Sequence, residues 1–208
     1  LKPTVAHYTG DNRALPLPPN SRPPRHAAII VHNDRTIIGN GLPVHTGGFT
    51  NNFTYGDFDL SIFFQWSYGN DVLNANRLFF ESSWNKAREL NQFASYADRW
   101  TEDNPYSDIP RATTSSSNRV FSSRVIEDGS FLRLKTLTLG YTVPKKLLTR
   151  FRIDNLRVYF AAQNLWTITN YSGYDPEVSI RNSALTPGLD FSAYPRARQF
   201  SFGVSLGF

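Results

Sequence analysis

The feature that most constrains this chain is a strict two-residue alternation that leaves one face with nothing able to reach water. In RQFSFGVSLGF (Arg198–Phe208), Phe200, Phe202, Val204, Leu206 and Phe208 share one parity, and Ser201, Gly203, Ser205 and Gly207 the other. Side chains of a strand alternate between faces, so this is a β-strand with one bulky apolar face and one almost bare face. A half-buried strand of a soluble sandwich usually sets apolar residues against charged or long polar ones. The bare face suits the inside of a barrel wall. A terminal edge strand packed on a soluble core is the alternative that this segment alone leaves open.

Composition narrows the choice only slightly. No stretch approaches the roughly twenty apolar residues of a membrane-spanning helix, but a transmembrane β-strand needs only about ten and alternates. Cysteine is absent, which removes disulfides, thiol chemistry and cysteine metal sites. The formal charge of +5 is scattered, and its densest group, Lys145, Lys146, Arg150 and Arg152, sits in a short connector. No basic stripe with interleaved aromatics lies on one element, so nucleic acid is not expected as a partner. The opening Leu1-Lys2-Pro3-Thr4 has no apolar signal region, which implies a chain that is not exported or a piece of something longer.

Residues 1–44 are punctuated by proline and glycine, most densely in LPLPPNSRPPR (Leu15–Arg25), and read as a long loop. HTGGFTNNFTY (His45–Tyr55) alternates, Gly56-Asp57 supplies a two-residue reversal, and FDLSIFFQWSY (Phe58–Tyr68) follows. In the latter, Phe58, Leu60, Ile62, Phe64, Trp66 and Tyr68 form one apolar face, with aromatics toward both ends as in strands that meet lipid headgroups. WNKARELNQFASYADRW has apolar residues at three- and four-residue spacing, which predicts a helix around 84–97. FLRLKTLTLGYTV (Phe131–Val143) is a strand whose facing slips between Leu134 and Leu137. A β-bulge near Lys135 repairs it, unless the upper part stands clear of a bilayer. NLRVYFAAQNLW (Asn155–Trp166) alternates again.

Parity then separates the two readings. If the last strand descends to the periplasm, 155–166 runs up, 131–143 down, 58–68 up and 45–55 down. The connectors at 56–57 and 144–154 fall on the periplasmic side and are short. Those at 69–130 and 167–197, with the opening 1–44, fall outside and are long, the rule for bacterial outer-membrane barrels. A soluble sandwich, including a carbohydrate-binding one, has no reason to sort its loops so. Five strands cannot close a barrel whose smallest form has eight, so this is the C-terminal part of a larger one.

Several blocks carry a family resemblance: RTIIGNG (Arg35–Gly41), FDLSIFFQWSYGNDVLNANR (Phe58–Arg77), RWTEDNP (Arg99–Pro105), DIPRA (Asp108–Ala112), VIEDGSFLRLKTLTLGYTVPKKLL (Val125–Leu148), LRVYFAAQNLWTITNYSGYDPEV (Leu156–Val178) and the closing strand. Together they resemble the C-terminal barrel of the SusC/RagA-type TonB-dependent transporters of Bacteroidetes. The resemblance implies an all-β, antiparallel transmembrane barrel of about 22 strands, with long extracellular loops and one loop helix. In it, 1–44 is an extracellular loop and 45–208 the C-terminal part of the wall. It also implies an N-terminal plug, a TonB box, a SusD-like lipoprotein lid, and energised import of oligosaccharides or peptides across the outer membrane. Expected partners are therefore that lipoprotein, the TonB complex through a part of the protein outside these residues, outer-membrane lipid, and the remaining strands and plug. The alternative is a passive or structural barrel that offers a surface to other proteins. Where many members carry an acidic, glycine-containing loop resembling a calcium site, this chain has PPRHAAIIVHNDR, so no cation site is carried over.

No catalytic constellation emerges, and neither enzyme activity nor a cofactor is expected. His7, His26, His32 and His45 lie at irregular spacings with no HExxH pair, so no metal site is expected either. Gly39-Asn40-Gly41 lacks the Lys-Ser/Thr of a phosphate loop, and Glu102-Asp103 are solvated loop charges. The loop aromatics Trp84, Tyr96, Trp100, Tyr106, Tyr171 and Tyr174 read first as packing the long loops together. Contact with a lid or a ligand comes next. Trp100, Tyr171 and Tyr174 are the candidates to meet a nutrient outside, and Arg157, Tyr159 and Gln163 the candidates to line the lumen, where they could also touch the plug.

Overall fold

The computed structural model describes residues 36–83, 90–112, 121–149, 153–179 and 187–208. Its elements in chain order are β1 (His45–Tyr55), β2 (Phe58–Tyr68), β3 (Asp71–Asn74), α1 (Ala75–Phe80), β4 (Ile126–Asp128), β5 (Phe131–Thr142), α2 (Lys145–Leu148), β6 (Asn155–Thr169), β7 (Leu189–Asp190) and β8 (Gln199–Gly207). The chain divides into two compact units, each with its own sheet.

The larger sheet has the order β1-β2-β5-β6-β8, every neighbour antiparallel. These are the five strands expected from alternation, in the expected chain order. Gly56 makes the β1–β2 reversal with a positive φ of 58°, at the position where only glycine bends without strain. Across the sheet, Phe58, Leu60, Ile62, Phe64 and Trp66 stand opposite Tyr141, Leu139, Leu137, Leu134 and Leu132. The same face runs on through Val158, Phe160, Ala162 and Trp166 to Val204, Phe202 and Phe200. Among the described residues nothing covers it at its far end: Phe202 is 81% exposed and Phe200 56%. A contiguous apolar face of this size is foreign to a soluble monomer and natural to a wall standing in hydrocarbon.

The bulge lies where the facing of β5 required it. Phe63 pairs with Thr136 and Phe64 with Leu134, so Lys135 is the extra residue. Against β6, Leu134 meets Trp166 while Thr136 meets Gln163, and Asn164 turns through a positive φ of 52° to absorb the offset. One inserted residue puts Leu132 and Leu134 on the same face as Leu137 and Leu139. Beyond its bulge β6 continues to Thr169, whereas β8 begins opposite Gln163.

The bare face of β8 has a local explanation. The Tyr159 ring lies on Gly203, its direct partner, and a side chain there would collide with it. Trp66 covers Gly47 of β1 in the same way. Small residues on one strand make room for aromatic rings from the next, a known device of glycine-containing sheets.

The second unit contains a three-stranded sheet of order β4-β3-β7, with β3 and β7 parallel. Ala75, Leu78 and Val125 form its core, with Leu73, Phe79 and Leu189 packed against them. Two of the family blocks meet here: the Asn40 N–H donates to the Asp71 carboxylate at 2.7 Å, and the Asp71 N–H to the Asn40 carbonyl at 2.8 Å. Beside the core, Arg77 bridges Glu81 and Glu127, and Arg124 also pairs with Glu81. Burial pulls the Arg124 guanidinium below its ordinary range while Glu81 opposes the shift.

The helix expected around 84–97 requires correction. Residues 84–89 lie outside the described residues, 90–93 have no helical structure, and Ala94–Asp98 form a short 3-10 turn. The loop's α-helix is instead α1, just after β3. Tertiary contacts overrode the spacing: the Phe93 N–H donates to the Phe80 carbonyl at 3.0 Å, Gln92 Nε2 to the Ser82 carbonyl at 2.7 Å, and Phe93 packs on Phe80.

Candidate functional site

On the five-stranded sheet the face opposite the apolar one, the inward face of a barrel wall, carries the sheet's buried and paired charges. β6 places Arg157, Tyr159, Ala161 and Gln163 on it by simple alternation. The sequence candidates Arg157, Tyr159 and Gln163 therefore stand in one row. Arg157 reaches across β5 at Gly140 to Asp59 of β2, with Nη2 2.6 Å and Nε 3.2 Å from the two carboxylate oxygens. This two-pronged pair is only half-buried, so it contributes more to geometry than to stability. The guanidinium also lies 5.6 Å from the centre of the Tyr159 ring. Gln163 remains exposed.

Farther up the same face, Arg133 of β5 is almost wholly buried. It donates to Asp175 at 2.5 Å, to Glu177 at 3.1 Å and to the Thr167 hydroxyl at 3.0 Å. Lys135, the bulge residue, reaches Glu177 at 3.2 Å, and Arg196 reaches it at 3.1 Å. Asp175 also accepts the backbone N–H groups of Glu177 and Arg196. Burial pushes the Asp175 carboxyl upward, but the hydrogen bonds from Arg133 and the two N–H groups outweigh it. Asp175 titrates below the usual carboxylate range. The loop after β6 is thus clamped onto the inward face of β5.

The loop candidates separate. Tyr171 is buried, its ring lying on Gly173 of its own loop, so it packs the loop and presents no face to a ligand. Tyr174 stands 81% exposed three residues on. Trp100 belongs to the other unit, half-buried, its backbone N–H donating to the Ile109 carbonyl at 2.8 Å. Of the remaining loop aromatics, Tyr96 is buried, Tyr106 is exposed, and Trp84 lies outside the described residues. Sequence reading missed Arg133, Lys135, Asp175 and Glu177 as a group. The available signal was two cations in an otherwise apolar strand and two carboxylates in the DPE of the following loop. Among the described residues no group of His, Cys, Asp and Glu could hold a metal ion.

No family model matches the chain. Relatives do. The TonB-dependent receptor P3 of Formosa agariphila is 37% identical over 180 residues, covering 84% of this chain and 17% of that receptor. Receptor P26 of the same organism is 35% identical over 185 residues, covering 86% of this chain and 18% of its own length. The TonB-dependent receptor SusC of Bacteroides thetaiotaomicron is 39% identical over 88 residues, 42% of this chain and 8% of SusC. Among solved structures, the RagAB peptide importer in its closed-closed state superposes with a TM-score of 0.72 at 30% identity, over 87% of this chain and 19% of that one. The chain therefore spans less than a fifth of the length of each of these proteins. More than 30% identical to such receptors over most of this chain's own length, and sharing the fold of the matching part of RagAB, these residues are a barrel-wall segment of the SusC/RagA type of TonB-dependent receptor.

Proposed function

We propose that this wall belongs to an outer-membrane transporter that imports nutrients, oligosaccharides or peptides, with energy delivered through TonB. The observation that carries the reading is the two-faced sheet. The apolar face that runs across β2, β5, β6 and β8 fits lipid, and the opposite face carries a row of polar groups suited to a hydrated lumen or a plug. The names of the relatives support it: several are TonB-dependent receptors, and RagAB is described as a peptide importer. None of these names describes an enzyme, and the chain's role is transport rather than catalysis.

In this reading residues 1–44 are external and 45–208 hold the wall. Arg157, Tyr159 and Gln163 line the inner path, Trp100 and Tyr174 are available to nutrient or lid, and a SusD-like surface lipoprotein is the lid. TonB engages a part of the transporter outside these residues. The test uses cells carrying the full-length protein. Nutrient uptake should depend on the gene, cease when TonB is disabled, and leave the barrel inserted in the outer membrane. Uptake that persists without TonB favours a passive barrel instead.

A further inference from the structure

Beside the Arg133 clamp lies a cavity of about 240 Å³, lined by Arg133, Thr167, Tyr174, Asp175, Arg196 and Arg198 among others. That is below the roughly 300–1,000 Å³ of whole-ligand pockets, so it suits one unit of a longer chain. Its charge is unbalanced. Four cations (Arg133, Lys135, Arg196 and Arg198) gather around two carboxylates, Asp175 and Glu177. Arg133, Lys135 and Arg196 are engaged with those carboxylates, whereas Arg198 has no hydrogen bond or ion pair among the described residues. The Tyr174 hydroxyl is likewise uncommitted there, and its ring is well exposed.

We propose that this cavity is an anion subsite that takes a carboxylate of the imported nutrient. Arg198 supplies the paired donors, and Tyr174 the flanking ring. The proposal rests on the import reading above. A guanidinium offers two parallel N–H donors that match the two oxygens of a carboxylate, and the surplus positive charge favours any anion that enters. An aromatic face beside a fixed charge suits a sugar ring or a peptide side chain next to its acidic group. The carboxylate can come from an acidic sugar or from the C-terminus of a peptide.

The test titrates the purified full-length transporter with two matched pairs. One is a short oligogalacturonate against the neutral galactose oligomer of equal length. The other is a short peptide with a free C-terminus against its amide. At least one acidic member should bind at least tenfold more tightly than its neutral twin, and Arg198→Gln should abolish that preference while the barrel keeps its heat-resistant gel migration. The pair that shows the preference identifies the source of the carboxylate. Absence of preference in both pairs, or an undiminished preference in Arg198→Gln, overturns the proposal. Failure of the import reading itself would appear separately, as uptake independent of TonB.

Discussion

Arg133 and Asp175 are 42 positions apart in sequence, and their charged groups meet at 2.5 Å with both side chains almost fully covered. The contact ties a wall strand to the loop that follows the next strand. Removing one partner strands the other charge in a desolvated place, which costs about 3–5 kcal/mol. Arg133→Met should therefore destabilise the folded barrel by an amount of that order. The double change with Asp175→Leu should recover much of it. Urea unfolding of the full-length protein in lipid vesicles measures both; strictly additive losses would contradict the pairing.

The same pair fixes a pH window. A carboxyl whose folded value is depressed adds stability above its unfolded value, about 3.9 for aspartate, and that stability is lost as pH falls through the folded value. The clamp should stay closed from neutral pH down to about 4 and loosen only below it. A cysteine placed at Tyr174, probed by thiol labelling as the pH is lowered and returned, should change its protection only in that acidic range. Opening near pH 6 would show that Asp175 is not held ionised by Arg133.

Much of this wall was legible in the sequence because alternation is local. Each of the five long strands carries its own period of two, and the slipped facing of FLRLKTL points to a bulge near Lys135, with an upper part clear of the bilayer as the other reading; the pairing shows the bulge. The charge clamp was not legible. Arg133 and Lys135 looked like interruptions of an apolar strand, and only the fold brings Asp175 and Glu177 to them. The helix expected at 84–97 failed for the opposite reason. Its spacing was local and real, but Phe93 and Gln92 are held by the backbone of Phe80 and Ser82 in a non-helical path. Tyr171 and Tyr174 looked equivalent in sequence, and only the loop's turn at Gly173 buries one and exposes the other.

The cross-strand fit of Tyr159 on Gly203 predicts a specific coupling. Gly203→Val crowds the ring and should cost about 1–3 kcal/mol, the usual range for overpacking. In a Tyr159→Ala background the same substitution should cost much less. Unfolding midpoints of the four proteins measure the coupling, and equal costs in both backgrounds would mean that the ring does not rest on Gly203.

Ile62 and Ser61 are adjacent on β2 and face opposite ways, Ile62 between Asn51 and Leu137, Ser61 between Asn52 and Thr138. Arginine at Ile62 should cost roughly 2–4 kcal/mol if that position lies near the midplane of the bilayer. Arginine at Ser61 should be much milder, because the inward face already accepts charge. Similar losses at both positions, read from folding in vesicles, would contradict a lipid-facing side.

The central claim is that the five-stranded sheet is a membrane wall with one face in lipid, and single cysteines along β2 test it most directly. Each position from Phe58 to Trp66 is spin-labelled in turn in the full-length protein, reconstituted in bilayers, and probed with oxygen, which concentrates in lipid, and with a water-soluble nickel chelate. Oxygen collisions should peak at positions 58, 60, 62, 64 and 66 and fall at 59, 61, 63 and 65, in step with the alternation of β2. A profile with no period of two, or nickel access equal on both faces, would contradict the account.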